Sequence, residues 1–314
     1  MKIRAGIIVL LAATALARPI AAQSKLKVEK LADGVWAAQP EKGANVGWFL
    51  LGDGVVAVDS GADTATAQEI LKSIAETAGK PVRYLILTHS HGDHSRGARA
   101  FAAAGAVVIC QQNVAGTILA LVTQAATEPG DPLAGKPGLR PVVESVGDRS
   151  FLLDGVHTAE IDFLGSGHTS GDLIVYLPSD KVLFAGDLAS NGRLPDLKSI
   201  DVDPSGWERA LQNLSRVNVQ KMVPGHGQIG PVAGLADSLA YVHRVNELAK
   251  KFVDSGTRDE MLDSQIRAPE NSIPNVSVSD AHVANVKAAV RVAREKATRK
   301  PTLTAIPVSP TPVK

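Results

Sequence analysis

The chain has 314 residues, 45% of them apolar, enough for a sizeable core in one large domain or two smaller ones. Lys and Arg number 33 against 32 Asp and Glu, a formal charge of +1 that offers no basic footprint for nucleic acid. A single cysteine, Cys110, excludes an intrachain disulfide, and with aromatics at only 4% the interior must be filled by Val, Leu, Ile and Ala.

Lys2 and Arg4 precede an apolar run from Ala5 to Ala17, followed by Ile20-Ala21-Ala22. A basic start, an apolar stretch too short to span a bilayer and small residues at its end predict an export signal over residues 1–22, cleaved after Ala22. The mature chain is then expected in the periplasm or outside the cell, without membrane attachment. An uncleaved N-terminal anchor is the other reading. Removing 1–22 takes away Lys2, Arg4 and Arg18 and no acid, which moves the charge from +1 to −2.

Strands are predicted at Leu31 to Ala38 and Trp48 to Val58, the second folded back at Gly52-Asp53-Gly54. Ile70, Leu71, Ile74 and Ala78 stripe a helix over Thr64 to Ala78, which Gly79 and Pro81 end. The apolar run Val82 to Leu87 reads as a buried strand. A short helix near Ala98 to Ala103, a buried strand holding Cys110 and a helix over Val114 to Ala126 follow. The Pro- and Gly-rich stretch Glu128 to Pro141 is a loop. Strand pairs turn around Asp154-Gly155 and Pro178-Ser179-Asp180. Asp203-Pro204 opens a helix that buries Trp207, Leu211 and Leu214.

Beyond Pro231, Leu235, Leu239, Val242, Val245, Leu248 and Phe252 recur at helical spacing, and a second helix covers Asp280 to Glu295. The expected organisation is a catalytic domain over 23–235, helices over 236–298 packed on it, and a disordered Pro-rich tail over 299–314. Alternating strands and helices alone would suggest a doubly wound parallel sheet. Hairpins in both halves argue instead for two mixed sheets face to face with helices outside.

Thr88 to His94 reads THSHGDH, three imidazoles and a carboxylate within His89 to His94. That density at a strand's end is hard to explain as packing, and neutral imidazole with carboxylate suits zinc and its first-row neighbours. Downstream, His168 in GSGHTSGD, Asp187 in LFAGDLAS and His226 in VPGHGQ each follow a strand-like run and are flanked by Gly. Three loops could bring them to one rim. His157, His243 and His282 match no motif and read as surface residues.

This pattern resembles the metallo-β-lactamase superfamily over roughly Val28 to Gly234. The resemblance implies an α/β class and a four-layer αβ/βα sandwich of two mixed sheets with outer helices. It implies that His89, His91 and His168 bind one metal and Asp93, His94 and His226 a second. Asp187 matches the carboxylate that bridges both in glyoxalase II-like and lactonase-like members. Two zinc ions per chain are expected, with iron or manganese the other candidates. A hydroxide between the metals would attack the carbonyl of a small-molecule lactam, lactone, ester or thioester, with Asp93 carrying a proton to the leaving group. Asp59 matches an acid that orients a ligating imidazole, or is a strand-end turn residue. Asn191, Arg193 and Lys198 could meet a substrate carboxylate, or are solvated loop residues. Asp at 187, where Cys-containing β-lactamases carry Cys, weakens the β-lactamase reading, while the export signal favours it. An iron-dependent oxidoreductase and a non-catalytic binding protein on the same fold are the competing readings.

Overall fold

Two short turns shape the N-terminal part of the computed structural model, which describes residues 26–124, 130–134, 136, 138–154 and 158–298. The expected export signal, the expected disordered tail and His157 lie outside these residues. β1 (Val28–Ala32) turns at Asp33-Gly34 into antiparallel β2 (Val35–Ala38). The single strand predicted over Leu31 to Ala38 is therefore a hairpin, and Gly34 at φ +71° supplies the left-handed turn residue. β3 (Val46–Leu51) turns at Gly52-Asp53 into β4 (Gly54–Val58).

From β4 onward the strands of this sheet run parallel. The crossover to β5 (Val82–Ile86) is α1 (Thr64–Ala78). Asp63 caps α1 by accepting from the Thr66 amide, and Gly79 in the left-handed region ends it. The single turn α2 (Gly92–Ser95) and α3 (Ala98–Ala103) lead to β6 (Val107–Gln111), and α4 (Ala115–Thr123) precedes β7 (Val143–Val146). Cys110 is buried in β6. The seven strands stand side by side in chain order.

The second sheet has the order β12-β11-β10-β9-β8: β8 (Arg149–Leu153), β9 (Thr158–Phe163), β10 (Leu173–Leu177), β11 (Val182–Asn191) and β12 (Lys221–Gly227). All pairs are antiparallel except β11 with β12. α5 (Pro204–Leu214) joins these two, capped by Asp203 with Pro204 at its first position. β11 is longer than its apolar run suggested. Its register against β12 shifts at Gly186, so Asp187 sits inside a bulged strand and not after one. α6 (Ala233–Asp254), α7 (Asp259–Ile266) and α8 (Asp280–Thr298) complete the described chain; α7 carries no stripe long enough to announce it.

Three apolar layers separate four layers of structure. Phe49, Val56 and Ile86 of the first sheet meet Val175 and Phe184 of the second. Ile70, Ile74, Phe101 and Ile118 cover the first sheet from outside. Trp207, Val242, Val245, Val286 and Val290 cover the second. Each fully buried aliphatic or aromatic side chain contributes roughly 1.5–3 kcal/mol relative to exposure. The fold is an αβ/βα sandwich of two mixed sheets.

Candidate metal centre

The ends of β4 and β5, the bulge of β11 and the end of β12 meet at one rim of the sandwich. Asp59 follows β4 directly, held at φ +62°, an unusual conformation for a residue with a side chain. Its carboxylate accepts from the Thr88 amide at 2.8 Å, the Thr88 hydroxyl at 2.9 Å and His94 Nδ1 at 2.8 Å. The Thr88 hydroxyl, having given its one proton to Asp59, accepts from His89 Nδ1 at 3.2 Å. Both imidazoles thus carry their proton on Nδ1 and turn Nε2 inward. Asp59 is a turn residue and an imidazole orienter at once.

His168 follows β9 in a loop knotted around Asp172. The Asp172 carboxylate accepts from the Gly167 amide at 3.1 Å, the Thr169 amide at 2.9 Å and the Thr169 hydroxyl at 2.6 Å. His168 Nδ1 donates to the Asp196 carbonyl at 2.9 Å, which leaves Nε2 facing His91 Nδ1 at 3.0 Å and Asp187 Oδ2 at 3.3 Å. His226 near the end of β12 places Nε2 3.1 Å from Asp93 Oδ2. The preceding Gly225 has no room for a side chain, because a Cβ there would overlap Asp187 Oδ1.

Asp187 stands between two groups. Oδ2 faces His168 at 3.3 Å and His89 at 4.0 Å; Oδ1 faces His94 at 3.3 Å and His226 at 3.6 Å. The potential ligand atoms of His89, His91, His168 and Asp187 lie within 4.8 Å of one another, and so do those of Asp93, His94 and His226. His89 Nε2, His94 Nε2 and Asp187 Oδ1 are buried without a hydrogen-bond partner. A buried imidazole lone pair or carboxylate oxygen left so is costly, and a divalent cation is the partner that five converging imidazoles and two carboxylates fit.

The electrostatics agree for His89, His168, Asp187 and Asp93 but not for His94, whose second proton a cation would displace. Burial drives His89 well below its ordinary pKa and lowers His168, so both are neutral at pH 7. Burial opposes the charge on Asp187, yet the imidazoles of His94, His168 and His89 hold its carboxyl well below the usual range. The hydrogen bond from His226 lowers Asp93. Burial works against a charge on His94 too, but Asp59 and Asp187 outweigh it and raise its pKa well above the ordinary value.

A cleft of about 780 Å³ opens over this rim. Arg193 and Lys198 lie on its wall, Lys198 paired with the Asp196 carboxylate at 3.0 Å. Asn191 does not. It is buried, and its amide donates to the Gln228 carbonyl at 2.7 Å and the Pro231 carbonyl at 2.8 Å, which corrects its reading as a substrate contact. His243 is half-exposed and paired with Glu208 at 2.8 Å. His282 is not a surface residue: it is fully buried, with Nδ1 3.2 Å from the Tyr241 hydroxyl. Thr88 and Asp172 stand inside the two histidine motifs and were passed over for the histidines beside them. Their signal is a short polar residue close to each imidazole, one position before His89 and four after His168.

The family model described as metallo-beta-lactamase superfamily matches residues 40–226. The chain belongs to the metallo-beta-lactamase superfamily. The chain is 23% identical over 284 residues to a linear primary-alkylsulfatase of Pseudomonas sp., covering 76% of this chain and 53% of that one. It is 27% identical over 182 residues to the metallo-beta-lactamase type 2 of Bacillus cereus, covering 56% and 64%. The chain thus spans between half and two thirds of these relatives' lengths. A solved metallo-beta-lactamase from Pontibacter korlensis superposes with a TM-score of 0.57 at 25% identity, over 70% of this chain and 99% of its own. The superfamily segment ends at His226, so α6, α7 and α8 lie beyond it. Among the described residues no helix is long and apolar enough to cross a membrane.

Proposed function

We propose that the chain is a metal-dependent hydrolase holding two divalent cations, zinc in preference to iron or manganese. The supporting observation is the division of Asp187, one oxygen toward His89 and His168 and the other toward His94 and His226. His89, His91 and His168 would hold one ion, Asp93, His94 and His226 the other, with Asp187 shared. When bound, the ions supply Lewis acidity that activates water near pH 7 and polarises the scissile group. Asp59 and Thr88 keep the Nε2 lone pairs of His94 and His89 aimed inward. Asp93, 39% exposed toward the cleft, would carry a proton to the leaving group.

The substrate is a small molecule with a hydrolysable carbonyl: a lactone, ester, thioester or lactam. A sulfate ester is the second reading, favoured because the alkylsulfatase match covers 76% of the chain and so runs past the superfamily segment. We further propose export, with residues 1–22 as the cleaved signal. Elemental analysis is expected to give two zinc per chain; iron at one per chain would overturn the hydrolase reading. Turnover is then compared across a chromogenic cephalosporin, an acyl-homoserine lactone, a glutathione thioester, a phosphodiester and a primary alkyl sulfate. N-terminal sequencing of exported protein is expected to begin at Gln23.

A further inference from the structure

α8 reaches back to the centre from outside the superfamily segment. Asn285, only 2% exposed, accepts from the Leu197 amide at 3.0 Å and donates to the Pro195 carbonyl at 2.7 Å. It therefore grips the chain on both sides of Asp196, whose carbonyl is the partner of His168 Nδ1. The other Asn285 donor goes to the Tyr241 hydroxyl of α6 at 3.0 Å, and that hydroxyl faces His282 Nδ1. All the hydrogen-bonding capacity of the Asn285 amide nitrogen is spent. Two outer contacts extend the grip along the same loop: Arg291 donates to the Ser199 carbonyl at 3.4 Å, and Lys296 to the Asp203 carboxylate at 2.6 Å.

We infer that Asn285 is a positioning residue of the metal centre. By fixing the Asp196 carbonyl against His168 it holds the proton on Nδ1 and keeps Nε2 aimed at the metal. The loop has no helix or strand between β11 and α5, and its own hold on Asp196 is a turn in which the Asp196 carboxylate accepts from the Lys198 amide at 2.9 Å, so Asn285 supplies the anchor from outside the loop. The inference rests on the metal-dependent reading above. A partner that orients a ligating imidazole commonly matters 10–100-fold for affinity. Asn285 acts one bond further out.

The test uses the whole chain with Asn285→Ala, Asn285→Leu, which refills the space if alanine fails to fold, and Val290→Ala as a control. Val290 is equally buried on α8 and belongs to the apolar layer. Cobalt(II) and zinc affinities are measured by chelator competition, and the His168 tautomer by nitrogen-15 NMR of metal-free protein. The Asn285 variants are expected to lose roughly tenfold in affinity for one metal and to lose the Nδ1-protonated His168 signal. Val290→Ala is expected to lower Tm without either change. Asn285 variants that melt lower yet keep wild-type affinity and tautomer would overturn the inference. Wild-type protein that binds neither metal would overturn the functional reading instead, and the NMR comparison would still judge the role of Asn285.

Discussion

The two halves of the centre are held by different kinds of structure. His89, His91, Asp93 and His94 leave one strand end within six residues, and a single acid, Asp59, locks that segment through Thr88 and His94. His168, Asp187 and His226 come from a loop, a bulged strand and the end of another strand, and they are kept in place by Asp172 and the Asp196 carbonyl, by the bulge and by a side-chain-free glycine. The first half keeps its ligands within one turn of backbone and needs one outside partner, Asp59, 29 residues before Thr88 and 35 before His94. The second depends on contacts 28 to 90 residues apart in sequence. Local clusters are cheap in ordering entropy, whereas dispersed ones need a scaffold that orders them for other reasons.

Asp187 belongs to both halves, so its loss should tell most. Asp187→Ala is expected to lose at least one metal and about 100-fold in turnover, with the circular dichroism spectrum near wild type. Retention of both metals would remove Asp187 from the shared position. Asp59→Asn attacks only the local half. Asn tolerates the left-handed backbone, but its NH₂ would face His94 Nδ1 and push the imidazole proton onto Nε2. Affinity for the ion near His94 should fall between about 10- and 100-fold, read by chelator competition, while the ion near His168 is little affected. Gly225→Ala attacks the dispersed half by displacing Asp187. It is expected to cost about tenfold in turnover, and an unchanged rate would show that the carboxylate has other room.

The smallest effect is in the pH dependence of folding. Burial pushes Asp172 up to about 7 against its hydrogen bonds from Thr169. Between about 7 and its ordinary 3.8 the folded chain keeps a proton here that the unfolded chain has lost. Stability from this group therefore rises as pH falls through that window and is lost as pH rises through about 7. The urea midpoint of metal-free protein should show this slope, and Asp172→Asn should flatten it.

What could be read in the sequence follows the same division. The THSHGDH cluster announces itself because chemistry and proximity coincide. α1 is predicted to its ends because Asp63 and Gly79 are local punctuation. The β1–β2 hairpin escaped because Asp33-Gly34 is short beside the apolar residues around it. Asn191 reads as available for substrate from its place in the stretch Ala189 to Asp201, yet it is used up on backbone carbonyls 37 and 40 residues away. His282 reads as a surface residue because it matches no motif, yet its partner Tyr241 is 41 residues distant, on another helix. A sequence displays the residue that reacts more readily than the residue that steadies it.

Cys110 has a practical consequence. Buried in β6, with its thiol pushed up to about 11 by burial, it is a poor nucleophile toward thiol-directed dyes in the native state. The protein therefore comes with a chemically silent background for site-specific labelling. A thiol introduced at exposed Ser277 on the cleft wall, as Ser277→Cys, would carry a fluorophore to one place only. Its emission would follow events at the mouth of the cleft in real time.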